Sequence, residues 1–122
     1  MTDSITQELA RELLAVHEES YGKSAKNVRV HVLDDDVIVF LDDIELQRNE
    51  EFLIEKGRGD LVLATRSGFQ QSIETTFKAI VERATGRTVT AFLSATSLDP
   101  PFCVETFRLA PSPDPTDSLA GR

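Results

Sequence analysis

The stretch that decides the fold is Val28–Leu41, VRVHVLDDDVIVFL, in which two strand patterns flank a run of aspartates. Valines alternate with Arg29 and His31 before the run, and a continuous apolar segment follows it. A period of two is typical of a half-buried strand, and aspartates between two such patterns favour a turn. The stretch therefore predicts a β-hairpin whose second strand is apolar on both faces.

A second hairpin is predicted near the carboxyl end, within Arg87–Leu109, RTVTAFLSATSLDPPFCVETFRL. Valine, threonine and aromatic residues dominate both halves, and the LDPP segment between them favours a turn. The two hairpins together supply four antiparallel strands.

Two helices are predicted around the first hairpin. Ser4 and Gln7 form a capping-box pattern at the start of a long helix, and its apolar stripe ends near Tyr21. After the hairpin, the charged segment 44–56, IELQRNEEFLIEK, predicts a short helix that stops at the following glycines.

A third, long helix precedes the second hairpin. Asp60 is a candidate N-cap, and Gly86 can adopt the left-handed conformation that ends a helix. The element order is α-β-β-α-α-β-β, which predicts an α+β two-layer sandwich with both long helices on one face of the sheet. We assign residues 1–109 to a single domain and predict that the proline-rich tail, residues 110–122, is disordered.

Alternation along the third strand predicts which residues face the helices. The residues expected to face the helices are Val89, Ala91, Leu93 and Ala95. Phe92 is then expected on the opposite, outer face, together with Ile38 and Phe40 of the second strand. Such an apolar patch needs a cover, which could be a second subunit, a partner protein or the short helix.

The net charge of the 122-residue chain is −8, which argues against binding to nucleic acid. The longest strongly apolar runs have the length of strands, so we expect no direct membrane insertion. The amino-terminal segment MTDSITQELA lacks the basic and apolar regions of a signal peptide, which favours a cytoplasmic protein.

No constellation of residues indicates catalysis. His17 and His31 have no metal-ligand spacing, and we expect both to be ordinary half-exposed residues. Cys103 lies in an apolar strand pattern and is expected to be a buried, inert thiol. Asp34–Asp36 lack the glycine and glutamate offsets of a calcium loop. The sequence therefore predicts no enzyme, no metal site and no cofactor.

Arg66 is the exception to an apolar stripe on the long helix. The stripe consists of Val62, Phe69, Ile73, Phe77 and Ile80. A buried arginine needs a partner, and Glu12 is the acid on the apolar stripe of the first helix. A ligand or partner protein is the alternative. With Arg58, Gln70 and Arg87, Arg66 could line a polar pocket in a small-ligand or anion-binding sensor.

Several motifs of the chain resemble the MpsC-like family. These are LARELLAVHEESYGK, EKGRGDLV, and the residues Arg66, Phe69, Gln70, Thr85, Gly86, Arg87, Phe92, Leu93, Ser94, Asp99 and Pro100. The resemblance covers roughly residues 8–110. This family of small bacterial proteins is named for a component of a sodium-translocating, membrane-potential-generating system.

The resemblance implies an accessory role beside a membrane system for cation translocation or inorganic-carbon uptake. The resemblance assigns no catalytic residues to this chain. We therefore expect a non-enzymatic interaction protein, a homodimer through the outer sheet face that contacts a membrane transporter subunit. The sensor remains the alternative.

Overall fold

The computed structural model describes residues 2–22 and 25–111, which contain three helices and one four-stranded antiparallel sheet. The elements in chain order are α1 (Thr2–Tyr21), β1 (Ala25–Leu33), β2 (Asp36–Ile44), α2 (Arg48–Glu55), α3 (Gly59–Thr85), β3 (Val89–Leu98) and β4 (Pro101–Leu109). This order confirms the predicted α+β fold.

The strands lie in the order β1-β2-β4-β3, so both hairpins meet at the centre of the sheet. The first turn falls at Asp34 and Asp35, and the second at Asp99 and Pro100, as predicted. Asp34 adopts a positive φ of 49°, a conformation that aspartate tolerates in turns.

The long helices α1 and α3 pack on each other and on one face of the sheet. Their buried apolar residues join those of the central strands in the main core, which includes Leu9, Leu13, Val37, Val39, Phe77, Ile80, Val81 and Phe107. A smaller apolar cluster contains Ala25, Leu41, Ile44 and Cys103. The short helix α2 packs on α3.

The predicted helix boundaries are wrong at two places. The strand β2 continues to Ile44, and α2 begins after Gln47, whose N–H donates to the Glu50 side chain at 2.8 Å. Arg58 takes the N-cap position of α3, and Asp60 lies inside the first turn. Gly86 ends α3 with a φ of 71°, as predicted.

A β-bulge changes the orientation of β3. The pairing with β4 is shifted between Val89 and Ala91, so one extra residue interrupts the alternation. Val89 faces the helices as predicted, but beyond the bulge Phe92 faces them and Leu93 faces outward, 70% exposed. The orientation predicted for Ala91, Leu93 and Ala95 is therefore wrong.

Among the described helices, none is long and apolar enough to cross a bilayer. The predicted disordered tail falls almost entirely on residues 112–122, which lie outside the described part. The tail and the domain boundary at residue 109 therefore stay predictions.

Candidate functional site

Arg66 is 1% exposed and forms a two-point ion pair with Glu50 of α2. Its Nε and Nη2 atoms donate to the carboxylate at 2.6 Å and 2.9 Å. Burial acts to raise the pKa of Glu50, but hydrogen bonds from Arg66 and the Gln47 backbone outweigh it and lower that pKa. The predicted partner, Glu12, is wrong: Glu12 pairs with Arg83 at the surface between α1 and α3.

Tyr21 at the end of α1 joins the same group of residues. The Arg66 guanidinium lies over the Tyr21 ring, 4.6 Å from its centroid. The Tyr21 hydroxyl donates to the Arg66 carbonyl at 3.4 Å and accepts from the Gln70 amide at 3.0 Å. Arg66 therefore connects three helices, although the sequence predicted a link between the two long helices alone.

A set of polar residues lies between the two apolar parts of the core, and we call His17, Gln70, Ser94 and Glu105 the interior polar cluster. His17, Gln70 and Glu105 are 0%, 5% and 1% exposed. Along β4, Glu105 separates Cys103 of one apolar cluster from Phe107 of the other.

The interior polar cluster contains side-chain atoms without a hydrogen-bond partner. They are both ring nitrogens of His17, the amide oxygen of Gln70, the hydroxyl of Ser94 and both carboxyl oxygens of Glu105. The great majority of buried polar atoms in proteins have a hydrogen-bond partner. A buried atom without one has lost its hydrogen bonds to water and gained none in return, which destabilises the fold. Ser94 pairs in register with Glu105, and its hydroxyl lies close enough to act on the carboxyl group, but the contact misses hydrogen-bond geometry.

Burial shifts the titration of two members of this cluster in opposite directions. It raises the pKa of Glu105 to about 8, against a small opposing effect of the Ser94 hydroxyl. It lowers the pKa of His17 to about 4, and the charge of Arg66 lowers it further. Both side chains are therefore neutral at pH 7.

A groove of about 420 Å³ lies between α3 and β3, next to this cluster. Gln70 and Ser94 line its wall together with Phe92 and Thr96. The remaining lining residues are Leu63, Ser67, Gln71, Glu74 and Ala95. Two residues with unpartnered atoms therefore lie at the wall of the groove, with those atoms buried.

The structure does not assemble the four residues predicted for an anion pocket. Arg66 and Gln70 both contact Tyr21, so these two lie together. Arg58 is exposed and pairs with Asp60 at 3.0 Å. Arg87 follows the other end of α3, about 30 Å from Arg66 by the helical rise.

Arg87 forms hydrogen bonds and an ion pair that connect the end of the second hairpin to the turn of the first. Its guanidinium donates to the carbonyls of Ala110 and Asp34, each at 3.0 Å or less, and pairs with Asp35 at 2.6 Å. These contacts bind the end of α3 to the turn between β1 and β2.

The outer face of the sheet is the face opposite α1 and α3, and it includes Ile38 and Phe40 as predicted. Phe92 does not lie there, because the bulge turns it into the core, where its ring contacts Phe77 and Phe107. Leu93 takes its place on the outer face. The register places Ala91, Leu93, Ala95, Phe102, Val104 and Thr106 on that face beside Ile38 and Phe40.

Paired charges flank the apolar residues of the outer face. Arg29 pairs with Asp42 at 2.7 Å and lies 4.4 Å from the centroid of the Phe40 ring. Arg108 pairs with Asp36 at the other end. The short helix α2 packs on α3, so it does not provide the cover that the sequence left open.

The structure places all three side chains that were considered for catalysis, His17, His31 and Cys103. His17 is fully buried, so the prediction of a half-exposed histidine is wrong. The i+4 spacing of Leu9, Leu13 and His17 could have revealed this. His31 is exposed on the outer face and Cys103 is buried, as predicted. Within residues 2–22 and 25–111, no group of three or more His, Cys, Asp or Glu side chains could hold a metal ion.

A protein-family model described as Na+-translocating membrane potential-generating system (MpsC) matches residues 2–111. The match confirms the resemblance seen in the sequence motifs. No curated protein and no solved structure matches the chain significantly.

Proposed function

The chain belongs to the MpsC family, and from this membership we propose that it is a non-enzymatic accessory protein of a membrane system that translocates cations. The observation that carries the proposal is the outer sheet face, an apolar surface without a helix over it among the described elements. We propose that this face contacts a second copy of the chain.

The composition of the outer face favours a second copy as its occupant. Its charges form the pairs Arg29–Asp42 and Arg108–Asp36, so the face is close to neutral on a chain of net charge −8. Two such faces can meet without like-charge repulsion. Sheets with apolar faces pack about 10 Å apart with interdigitating side chains, and an isologous dimer of this kind buries both patches.

The chemistry of the buried side chains supports an interaction role over catalysis. A general base or nucleophile must reach a substrate with a suitable protonation state. His17 is fully buried, and burial raises the pKa of the Cys103 thiol, which favours its unreactive form.

Charge also supports a place on the cytoplasmic side of the membrane. Cytoplasmic loops of membrane proteins carry an excess of lysine and arginine, whereas the lipid leaflet facing them is negatively charged. An acidic protein is attracted to the loops and repelled by the lipids. The proposed partner is therefore a membrane protein subunit and not the bilayer.

Affinity purification of the tagged protein from gently solubilised native cells tests this function. We expect enrichment of a cation-translocating membrane subunit. The variant Leu93→Arg should recover less of it, because a monomer loses the second attachment point. Leu61→Arg, at a 39% exposed leucine of α3, is the matched control. Equal recovery with wild type, both variants and an unrelated tagged protein would contradict the proposal.

A further inference from the structure

Two residues that line the α3–β3 groove, Gln70 and Ser94, carry buried oxygen atoms without a hydrogen-bond partner. The amide nitrogen of Gln70 is committed to the Tyr21 hydroxyl at 3.0 Å, which leaves the amide oxygen as its free group. The Ser94 hydroxyl is unpartnered on the opposite wall, which belongs to β3. Because Gln70 is 95% buried, its oxygen gains little from solvent.

Glu105 adds a carboxyl group directly behind Ser94. The two residues pair in register across β3 and β4, and neither carboxyl oxygen of Glu105 has a partner. Arg66 pairs with Glu50 through Nε and Nη2, whereas its Nη1 has no partner, and Lys78 pairs with Glu74 at 2.8 Å. The carboxyl group is therefore buried without a counter-charge and is protonated at pH 7, so a cation bound beside it would favour release of that proton to solvent.

We propose that the α3–β3 groove binds a small monovalent cation, with the oxygens of Gln70 and Ser94 as direct contacts and Glu105 as the counter-charge. Oxygen atoms of carboxyl, amide and hydroxyl groups are the contacts that hard cations prefer. They also accept hydrogen bonds from an ammonium group. An anion would instead meet acceptor oxygens and the carboxylate of Glu74 at the groove.

The groove admits either a metal ion or a small organic ammonium. Leu63 and Phe92 give its wall an apolar part, which suits a short alkyl group, whereas the oxygens suit Na+ as well. The cation site lies on the helical side of the sheet, away from the outer face. It goes beyond the proposed function, because cation binding can be measured on the isolated protein without a membrane partner.

Thermal unfolding of the isolated full chain in different chloride salts at equal ionic strength tests the site. The probes are Na+, K+ and methylammonium, and choline, which is too bulky for the oxygens to surround, is the reference. A ligand that binds the native state alone raises the Tm. We expect at least one probe to raise the Tm by about 2 °C or more over choline.

Glu105→Gln is the decisive variant, because glutamine matches the protonated glutamic acid in shape but supplies no counter-charge. We expect it to fold, as judged by circular dichroism, and to lose the Tm rise. Ser94→Ala should reduce the rise by at least half while keeping Glu105. Glu55→Gln on the exposed surface of α2 makes the same charge change and should keep the full rise.

The relative Tm rises in the different salts identify which kind of cation the groove binds. A larger rise with Na+ or K+ supports a metal ion, and a larger rise with methylammonium supports an organic amine. The proposal is overturned if no probe exceeds choline, or if Glu105→Gln keeps the rise. If Glu105→Gln does not fold, an undiminished rise in Ser94→Ala overturns it instead. The absence of a Tm rise would overturn the cation site but would not change the recovery of a membrane subunit in the affinity purification. The two proposals can therefore be tested separately.

Discussion

Arg66 of α3 and Glu50 of α2 form a two-point ion pair in which the arginine is buried and the glutamate lies at the edge, with side chains 2% and 14% exposed. No residue of α2 is itself buried. This pair therefore contributes much of what holds α2 against α3. It also explains why an arginine interrupts the apolar stripe of the long helix.

We expect Arg66→Ala to destabilise the protein by about 3–5 kcal/mol, because it removes a buried partner and leaves a cavity under the Tyr21 ring. Arg66→Leu fills part of that space with apolar atoms and should cost at least about 1 kcal/mol less. Urea unfolding midpoints compare the two variants. Equal destabilisation would show that the charge itself, and not the packing, determines stability here.

Glu50→Gln should loosen α2 without unfolding the rest. The substitution keeps the size of the side chain but removes the charge that compensates Arg66. Because α2 buries no residue of its own, its backbone amides should exchange with solvent at least about tenfold faster. Hydrogen exchange measured by NMR checks this, with amides of α1 as the reference. The same acceleration in α1 would indicate global destabilisation and contradict a local role.

The opposite titration shifts of His17 and Glu105 predict an unusual pH dependence of stability. From pH 4.5 to 6.5, folding releases a proton from His17 and takes up one at Glu105, so the two effects cancel. From pH 6.5 to 8, the native state alone retains the Glu105 proton. The free energy of unfolding should therefore fall by about 1.4 kcal/mol per pH unit in this window.

Glu105→Gln isolates the carboxyl group in this experiment. The other titratable groups facing Glu105 do not change the window: burial raises the pKa of Tyr21 to about 12 and raises that of Cys103, and Arg66 stays charged. The variant should rise in stability up to pH 6.5 and then level off. Urea unfolding at several pH values in choline buffer measures both proteins. Parallel curves would contradict the assignment.

Sequence periodicity identified each helix and strand within residues 2–22 and 25–111, because apolar spacing and turn residues act locally. The orientation predicted for β3 is wrong, because alternation assigns side chains to the correct face only as far as a bulge, where one extra residue reverses the assignment. Thr90, which lies in the bulge, carries no sequence signal of one. The consequence was that Phe92 was assigned to the outer face and Ser94 was missed.

The candidate site was harder to predict because its residues come from five elements, α1, α2, α3, β3 and β4. Arg66 was identified as buried, but its partner depends on how α2 packs, which spacing within one helix cannot show. Glu105 was missed, although it alternates with the buried residues Cys103, Phe107 and Leu109 on β4. A carboxylate within an apolar alternation was the available signal.

The mass of the full chain in solution, measured by light scattering at high micromolar concentration, decides whether the outer face is an interaction surface. We expect twice the chain's 13.5 kDa for the wild type and a single 13.5 kDa chain for Leu93→Arg. Leu61→Arg should keep the dimer. A wild-type protein that remains at 13.5 kDa, or a dimer unaffected by Leu93→Arg, would contradict this expectation.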